Sequence, residues 1–466
     1  MNNGIPPRWR HQQEAFEFVR PLKGAMLAMV PGTGKSRVAI DYALDLDVQL
    51  ILIVCPLRVV PVWEGQFQKF APDQYSFLAL DDRVGSVQKK TLAARDLLAW
   101  SQKLAQRLAI AINYDSARRE PFASWAIKQI WPLVILDESH KIKQPGGRTS
   151  KWAARLGLGA MRRLALTGTP MAHQPTDIWA QFRFLDPHLL DPAFSSFRNR
   201  YAVLGGWGNK EIVGWRYLDH LEKDFRRIAF RVDESVLDLP PELDQTLTTQ
   251  LDPEGARLYG EMERKMIAWI EEGRQVTAAN AMVRLLRLQQ ITGGTVTDEQ
   301  ANPQRVDRAK QALLQDLLED IEEPVVVFAR FRPDFEAIQA AASACGFAYF
   351  ELSGVRDELA RWQSGTKAGR AVLAVQMQAG GVGVDLSRAR IAIYYSLGFS
   401  LSDYLQSRAR IRRPPQQRPC IFYHLQIRNS IDEYILRAVE ARRDLVDSVL
   451  QELRKKGTAS YVRVAH

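Results

Sequence analysis

Pro31-Gly32-Thr33-Gly34-Lys35-Ser36 has the residue types and order of a phosphate-binding loop. The glycines let backbone N–H groups of Gly32, Thr33 and Gly34 close around an anion, and a following helix adds its positive end. Lys35 would reach the β- and γ-phosphates of a nucleotide, and the Ser36 hydroxyl its Mg²⁺ ion. The full GxxxxGK[ST] spacing asks for glycine at position 29, where this chain has Met29. Small residues alone make only a turn, so the flanks decide. Ala25-Met26-Leu27-Ala28-Met29-Val30 is an apolar run of strand length, and Val38, Ala39, Ile40, Tyr42 and Ala43 follow at helical spacing. Strand, glycine loop and helix together are the context in which such a loop binds phosphate. Ahead of it Gln12 lies in a helical pattern with Ala15, Phe16 and Val19 on one face. Its amide, which donates and accepts, is a candidate reader of adenine.

Two more strand ends carry chemistry. Leu133-Val134-Ile135-Leu136 runs into Asp137-Glu138-Ser139-His140. In a Mg²⁺-dependent ATPase, Asp137 would hold the metal and Glu138 would position and polarise the attacking water. Arg163-Leu164-Ala165-Leu166 then runs into Thr167-Gly168-Thr169-Pro170, with hydroxyls and a glycine at the carboxyl end, where open parallel sheets bind ligands. Much later, Gln406-Ser407-Arg408-Ala409-Arg410-Ile411-Arg412-Arg413 sets Arg410 and Arg413 about one helical turn apart. A guanidinium there could neutralise charge on a transferring phosphoryl group. For Arg408 and Arg412 a solvated basic face or plain phosphate contact is the preferred reading.

The elements that must position these residues are alternating apolar runs. Leu50 to Cys55 and Leu108 to Ile112 (the latter closing on Asn113-Tyr114) read as buried parallel strands, and Trp63, Phe67 and Phe70 as the core face of a helix. A second series, at Val325–Ala329, Ala371–Val375, Arg390–Tyr395 and Cys420–Tyr423, has no phosphate loop and is expected to complete the first lobe's site. The fold class is α/β. Between about Leu189 and Thr295 the alternation stops, and helical patterns take over at Glu254–Glu271 and Ala281–Ile291. Asp252 with Glu263-Arg264-Lys265 imitates a nuclease spacing, but that chemistry needs a strand where this segment reads as helix.

With 466 residues, two or three domains are expected. The net charge of +10 suggests a polyanionic partner. No apolar run is long enough to span a membrane and the N-terminus lacks a signal-peptide core, so a cytoplasmic location is expected. The 3 cysteines are far apart and form neither a zinc pattern nor a disulfide framework, which fits a reducing compartment.

In this order and spacing GTGKS, DESH and LTGTP resemble motifs I, II and III of helicase superfamily two, and the details resemble its Swi/Snf branch. Pro56-Leu57 with Trp63 is similar to segment Ia. Leu166 to Pro170, continuing to Asp177-Ile178-Trp179 and Phe184-Leu185-Asp186-Pro187, is similar to the branch's run through motif III, with His173 where Asn is usual. Gln378-Ala379-Gly380-Gly381-Val382-Gly383-Val384-Asp385 resembles motif V, with Asp385 in place of Asn and Gln376-Met377 in place of a Ser-Thr pair. Gln406, Arg410, Arg413 and Gln416 match motif VI.

The resemblance covers nearly the whole chain and implies two RecA-like lobes, each a mostly parallel sheet flanked by helices, with a helical inter-lobe insertion. The expected divisions are residues 1–190 for lobe one, 191–300 for the helical protrusion and linker, 301–440 for lobe two, and 441–466 for a C-terminal brace helix and tail. It further implies an ATP- and Mg²⁺-dependent translocase on duplex or branched DNA, monomeric and without further modules. Lys35, Asp137, Glu138, Gln406, Arg410 and Arg413 would be its catalytic residues. Pro56, Asn113, His140, Thr167, Thr169, Gly354, Gln378 and Asp385 would contact nucleic acid or couple it to ATP. An RNA helicase would share every ATP residue, a small-molecule P-loop kinase would turn over without nucleic acid, and a scaffold would bind DNA without hydrolysis.

Overall fold

A computed structural model of the chain describes residues 5–171, 174–205, 211–271, 278–297, 302–365, 369–377 and 384–441. The chain divides into two compact units, Met1–Asp238 and Leu239–His466. No described helix is long and apolar enough to cross a membrane.

The first unit is organised by a seven-stranded sheet. Its strands β1 (Gly24–Met29), β2 (Leu50–Cys55), β3 (Ser76–Leu80), β4 (Leu108–Asn113), β5 (Trp131–Asp137) and β6 (Ala160–Thr167) are joined by an edge strand, Ala229–Val232. The order is β3-β4-β2-β5-β6-β1 and then the edge strand, with every pairing parallel. β1 and β4 are buried along their whole length, as continuous apolar runs covered on both faces must be. Helices α1 (Arg10–Val19), α2 (Lys35–Asp45) and α3 (Val60–Phe70) flank the site-bearing strands. Beyond β6, Phe225 of the helix Leu218–Ile228 stacks on Phe182 of the helix Ile178–Leu185, with centroids 5.8 Å apart.

The first residue of β1 has no space for a side chain. A Cβ on Gly24 would strike the backbone carbonyl of Leu185, which cannot swing aside as a side chain could. Gly24→Ala is therefore expected to cost about 1–3 kcal/mol, read as a lower unfolding midpoint in urea. An unchanged midpoint would contradict this packing.

The second unit holds a six-stranded parallel sheet. Its order is Glu242–Thr249, Cys420–Ile427, Ile391–Tyr394, Val325–Ala329, Ala371–Gln376 and Ala348–Leu352. Val326 and Phe328 face one apolar layer with Leu373 and Tyr394, while Val325, Val327 and Ala329 face the other with Ile338 and Ala341. Both faces are covered. The expected architecture of two mostly parallel sheets flanked by helices is present.

Residues 191–238 fall in the first unit and 239–300 in the second. The expected helices occur, as Pro253–Glu271 and Ala278–Thr292, and Leu285, Leu288 and Ile291 of the latter are buried. The same stretch also supplies strands that a helical reading omits. These are a hairpin of Ala202–Gly205 with Glu211–Trp215 and one edge strand for each large sheet. Glu242–Thr249 is polar and largely exposed because it pairs on one side only, so it carries no apolar run. The helix Ile431–Glu440 seats Ile431, Ile435 and Val439 in the core. The rest of the expected brace, from residue 442 onward, lies outside the described residues, as do His173, Gln378 and the motif V glycines.

Candidate nucleotide site

Register places the chemistry. β1, β6 and β5 are adjacent, with Leu27 opposite Leu166 and Leu166 opposite Asp137, so three loaded loops leave neighbouring carboxyl ends. The first is the glycine loop. Gly32 and Gly34 have φ of 89° and 87°, a left-handed conformation that favours glycine, and Gly34 is the N-cap of α2. Lys35 and Ser36 are the first two residues of α2, whose opening N–H groups have no partners within the helix. The Lys35 Nζ donates to the Met29 carbonyl at 2.7 Å and the Thr33 hydroxyl to the Val30 carbonyl at 2.7 Å.

Gln12 grips this loop. Its Nε2 donates to the Thr33 carbonyl at 3.1 Å, its Oε1 accepts from the Trp9 N–H at 3.1 Å, and His11 meets the same Thr33 carbonyl at 2.9 Å. Both ends of the amide expected to read adenine are thus engaged within the protein. A Cβ on Gly34 would collide with this amide, a second reason for glycine there.

Asp137 ends β5 with almost no exposed surface. Its Oδ2 accepts from the indole N–H of Trp63 at 3.0 Å, and its Oδ1 from the Glu138 N–H at 3.0 Å. The Tyr114 hydroxyl donates to its backbone carbonyl at 2.9 Å. Burial, and then the Glu138 charge, push the Asp137 carboxyl up to about 6, against the pull of the Lys35 ammonium and the Trp63 bond. The Lys35 influence shows that the loop lysine and the strand-end carboxylate share one neighbourhood. Glu138 is held at φ 52°, a conformation rare outside glycine, and such backbone strain is concentrated at functional positions.

Motif III closes the group. His140 Nδ1 lies 3.3 Å from Glu138 Oε2 and 3.4 Å from Thr167 Oγ1, and the Thr169 N–H donates to Thr167 Oγ1 at 3.1 Å. Gln181 ties the two loops together, accepting from Ser139 Oγ at 2.7 Å and donating to the Pro170 carbonyl at 2.8 Å. A Cβ on Gly168 would stand 3.0 Å from Pro31 Cδ, so this glycine lets motif III touch the phosphate loop. The Thr169 hydroxyl is buried without a hydrogen-bond partner among the described residues.

Sequence reasoning missed Trp63, Gln181 and His11. Trp63 was visible as core spacing and as part of the segment Ia resemblance, with no role at Asp137, but a buried indole N–H needs an acceptor, and that requirement is the signal that could have found it. Pro56 follows β2 and opens a short turn, Leu57–Val59, while Asn113 ends β4 beside the buried Lys90, whose Nζ is 3.5 Å from its Oδ1.

In the second unit Gln406 and Arg410 lie on the helix Leu401–Ile411, and Arg413 just past its end. The Arg410 carbonyl accepts from the Leu386 N–H at 3.1 Å, and Gln416 Nε2 donates to the Ser387 carbonyl at 3.1 Å, joining motif VI to the segment after motif V. The Arg413 Nε is buried without a hydrogen-bond partner among the described residues. Arg408 and Arg412 are not a solvated face. Arg408 pairs with Asp244 at 2.8 Å and Glu242 at 2.9 Å and lies over the Phe422 ring, while Arg412 donates to the Pro240 carbonyl at 2.7 Å. They fasten the edge strand to the helix. Gly354 N–H donates to Gln376 Oε1 at 3.1 Å, and the exposed Asp385 accepts from the Ser387 N–H at 2.9 Å. Glu263 to Lys265 lie within the helix Pro253–Glu271, so the nuclease spacing stays a coincidence of sequence.

A phosphate chain and its divalent cation fit the first unit's residues. The left-handed glycines shape the cradle, the cation side chain is Lys35, and Ser36 and Asp137 offer the oxygen ligands that Mg²⁺ prefers. Fold and site therefore define a phosphate-loop nucleotide-binding sheet. The chain matches the SNF2-related domain over residues 16–294, and it belongs to that family.

Among its relatives, an uncharacterized ATP-dependent helicase of Mycoplasma pneumoniae is 24% identical over 460 residues, covering 95% of this chain and 42% of that protein. The DNA repair and recombination protein RDH54 of Saccharomyces cerevisiae is 24% identical over 447 residues, covering 88% of this chain and 47% of that protein. The chain thus spans less than half the length of these relatives. A solved Sulfolobus solfataricus SWI2/SNF2 ATPase core in complex with dsDNA is 20% identical, covering 97% of this chain and 95% of that one, with a TM-score of 0.43.

Proposed function

We propose that this chain hydrolyses ATP to move along duplex or branched DNA. The reading is carried by the convergence of the glycine loop, the Asp137-Glu138 pair and the Thr167-Thr169 loop on adjacent strand ends in a member of the SNF2-related family. The helicase and DNA-repair names of its relatives and the net charge of +10 point the same way. A cytoplasmic location accords with three free cysteines.

In this reading Lys35 and the first N–H groups of α2 hold the phosphates. Gln12 acts by fixing the loop. Ser36 and Asp137 hold the magnesium ion, which when bound neutralises phosphate charge. Glu138 orients and polarises the attacking water, and His140, Thr167 and Thr169 link its position to the neighbouring strand end. Gln406, Arg410 and Arg413 are the proposed catalytic residues of the second unit, with guanidinium and amide donors suited to phosphoryl oxygens. Pro56, Asn113, Gly354, Gln378 and Asp385 are the proposed DNA-side residues.

Trp63 belongs to this assignment as a positioning residue. Trp63→Phe keeps an aromatic ring on the Phe67 side (6.2 Å between centroids in the wild type) and removes the N–H on Asp137 together with part of a buried ring system. The expected result is a Mg²⁺ requirement raised about 10- to 100-fold, beside a lower unfolding midpoint from the smaller buried ring. An unchanged Mg²⁺ titration would remove Trp63 from the site.

The direct test is ATP turnover by wild type and Lys35→Ala with duplex DNA, forked DNA, single-stranded DNA, RNA or no nucleic acid. Stimulation by duplex or forked DNA, absent in Lys35→Ala, is expected. Stimulation by RNA alone would make the protein an RNA helicase, and equal turnover without nucleic acid would leave a kinase-like enzyme.

A further inference from the structure

The two most exposed large apolar side chains among the described residues are Ile130, 75% exposed, and Leu158, 72% exposed; Met161 is 62% exposed. Ile130 precedes β5, Leu158 ends the helix Arg148–Leu158 and Met161 lies in β6, and the fold brings these positions to one place. Trp131 pairs with Ala160 in the register of β5 and β6, and the Trp131 N–H donates to the Gly159 carbonyl at 3.4 Å. That pairing brings residue 130 beside residues 158 to 161. The patch sits at the amino ends of β5 and β6. Asp137 and Thr167 sit at the carboxyl ends, about 20 Å away along a strand of seven residues.

A basic stripe leads into this patch. The helix Arg148–Leu158 carries Arg148, Lys151 and Arg155 at successive three- and four-residue spacings that end on Leu158, so the four share one face. All three cations are exposed, as is Lys128 at the end of the helix Phe122–Lys128. Neither helix contains an acidic residue, and none of the four cations forms an ion pair among the described residues. Trp152, Ala153 and Leu156 of the same helix are buried in the core and already anchor it, so the exposed face is not needed for folding.

We propose that this face docks an acidic amphipathic helix of a partner protein. Its apolar side chains would cover Ile130, Leu158 and Met161, and its carboxylates would run along Arg155, Lys151 and Arg148. The chemistry selects this occupant over a nucleic acid. Bases bind by stacking on aromatic rings, and the patch offers only aliphatic and thioether side chains, whose preferred partners are other apolar side chains. The unpaired cations select an acidic rather than a basic segment.

The probe is a fluorescein-labelled helical peptide of about 18 residues, with leucines on one face and glutamates on the other, titrated against the full chain by anisotropy. Wild type is expected to bind it, Leu158→Ser/Met161→Ser to bind at least ~10-fold more weakly, and Lys151→Glu/Arg155→Glu to weaken binding and flatten its salt dependence. A peptide with the same residues scrambled out of helical register should bind no better than the weakened variants. ATP turnover should be the same in all these proteins, since no altered residue lies at the nucleotide site. Absent peptide binding, or binding indifferent to the serine pair, would overturn the proposal. Two other outcomes would also do so. Duplex DNA binding lost in the glutamate pair but not the serine pair would make the face a nucleic-acid surface, and a concentration-dependent dimer lost in the serine pair would make it a contact between copies.

Discussion

Glu138→Gln is expected to bind ATP as tightly as wild type and to hydrolyse it about 100- to 10,000-fold more slowly. The amide has the size of the carboxylate, so the strained backbone at φ 52° and the contact from Glu138 N–H to Asp137 Oδ1 at 3.0 Å need not change. What is lost is the negative oxygen that orients and polarises water. Lys35→Ala should behave differently, since it removes the cation beside the phosphates and should weaken binding as well as turnover. Equilibrium binding of a fluorescent ATP analogue beside single-turnover hydrolysis separates the two. If Glu138→Gln turned over within about threefold of wild type, well short of what a lost general base costs, Glu138 would not be the water-positioning group.

The largest expected effect on stability is in the second unit. Lys310 and Asp432 form an ion pair at 2.6 Å, with side chains only 2% and 6% exposed. Asp432 also accepts from Thr292 Oγ1 at 2.9 Å and from the Ile427 N–H at 3.1 Å, so one carboxylate joins three helices to the last strand. Lys310→Ala leaves that carboxylate buried without its cation, at a cost of about 3–5 kcal/mol. Lys310→Met fills the space but still strands the charge, so it should recover little. Denaturant unfolding with both variants checks this, and a loss below about 1 kcal/mol would show that Asp432 is held well enough by its other donors.

The phosphate loop was readable because its chemistry and its context are both local: glycine, lysine and serine spacing, an apolar strand before, a helical pattern after. The sheets were readable for the same reason, since strands buried on both faces are continuous apolar runs. What escaped depends on partners distant in the chain. Arg408 gave no sign that its anions would be Glu242 and Asp244, the latter 164 positions away, on a strand too polar to announce itself. Trp63 fitted a helix core so well that its second task, a hydrogen bond to a carboxylate 74 residues on, was hidden. The direction of the Gln12 amide is likewise a matter of what stands beside it, and the Thr33 carbonyl does. Ile130, Leu158 and Met161 carry no mark in the sequence for the same reason, because only the neighbouring chain decides whether an apolar side chain at the end of an element is covered.

Movement along DNA is the central claim, and displacement of a fluorescent third strand from a DNA triplex measures it without requiring the duplex to open. Wild type with ATP is expected to release the third strand, with the yield falling to background without ATP and in Lys35→Ala and Glu138→Gln. A protein whose ATP turnover is stimulated by duplex DNA but which never releases the third strand would contradict translocation.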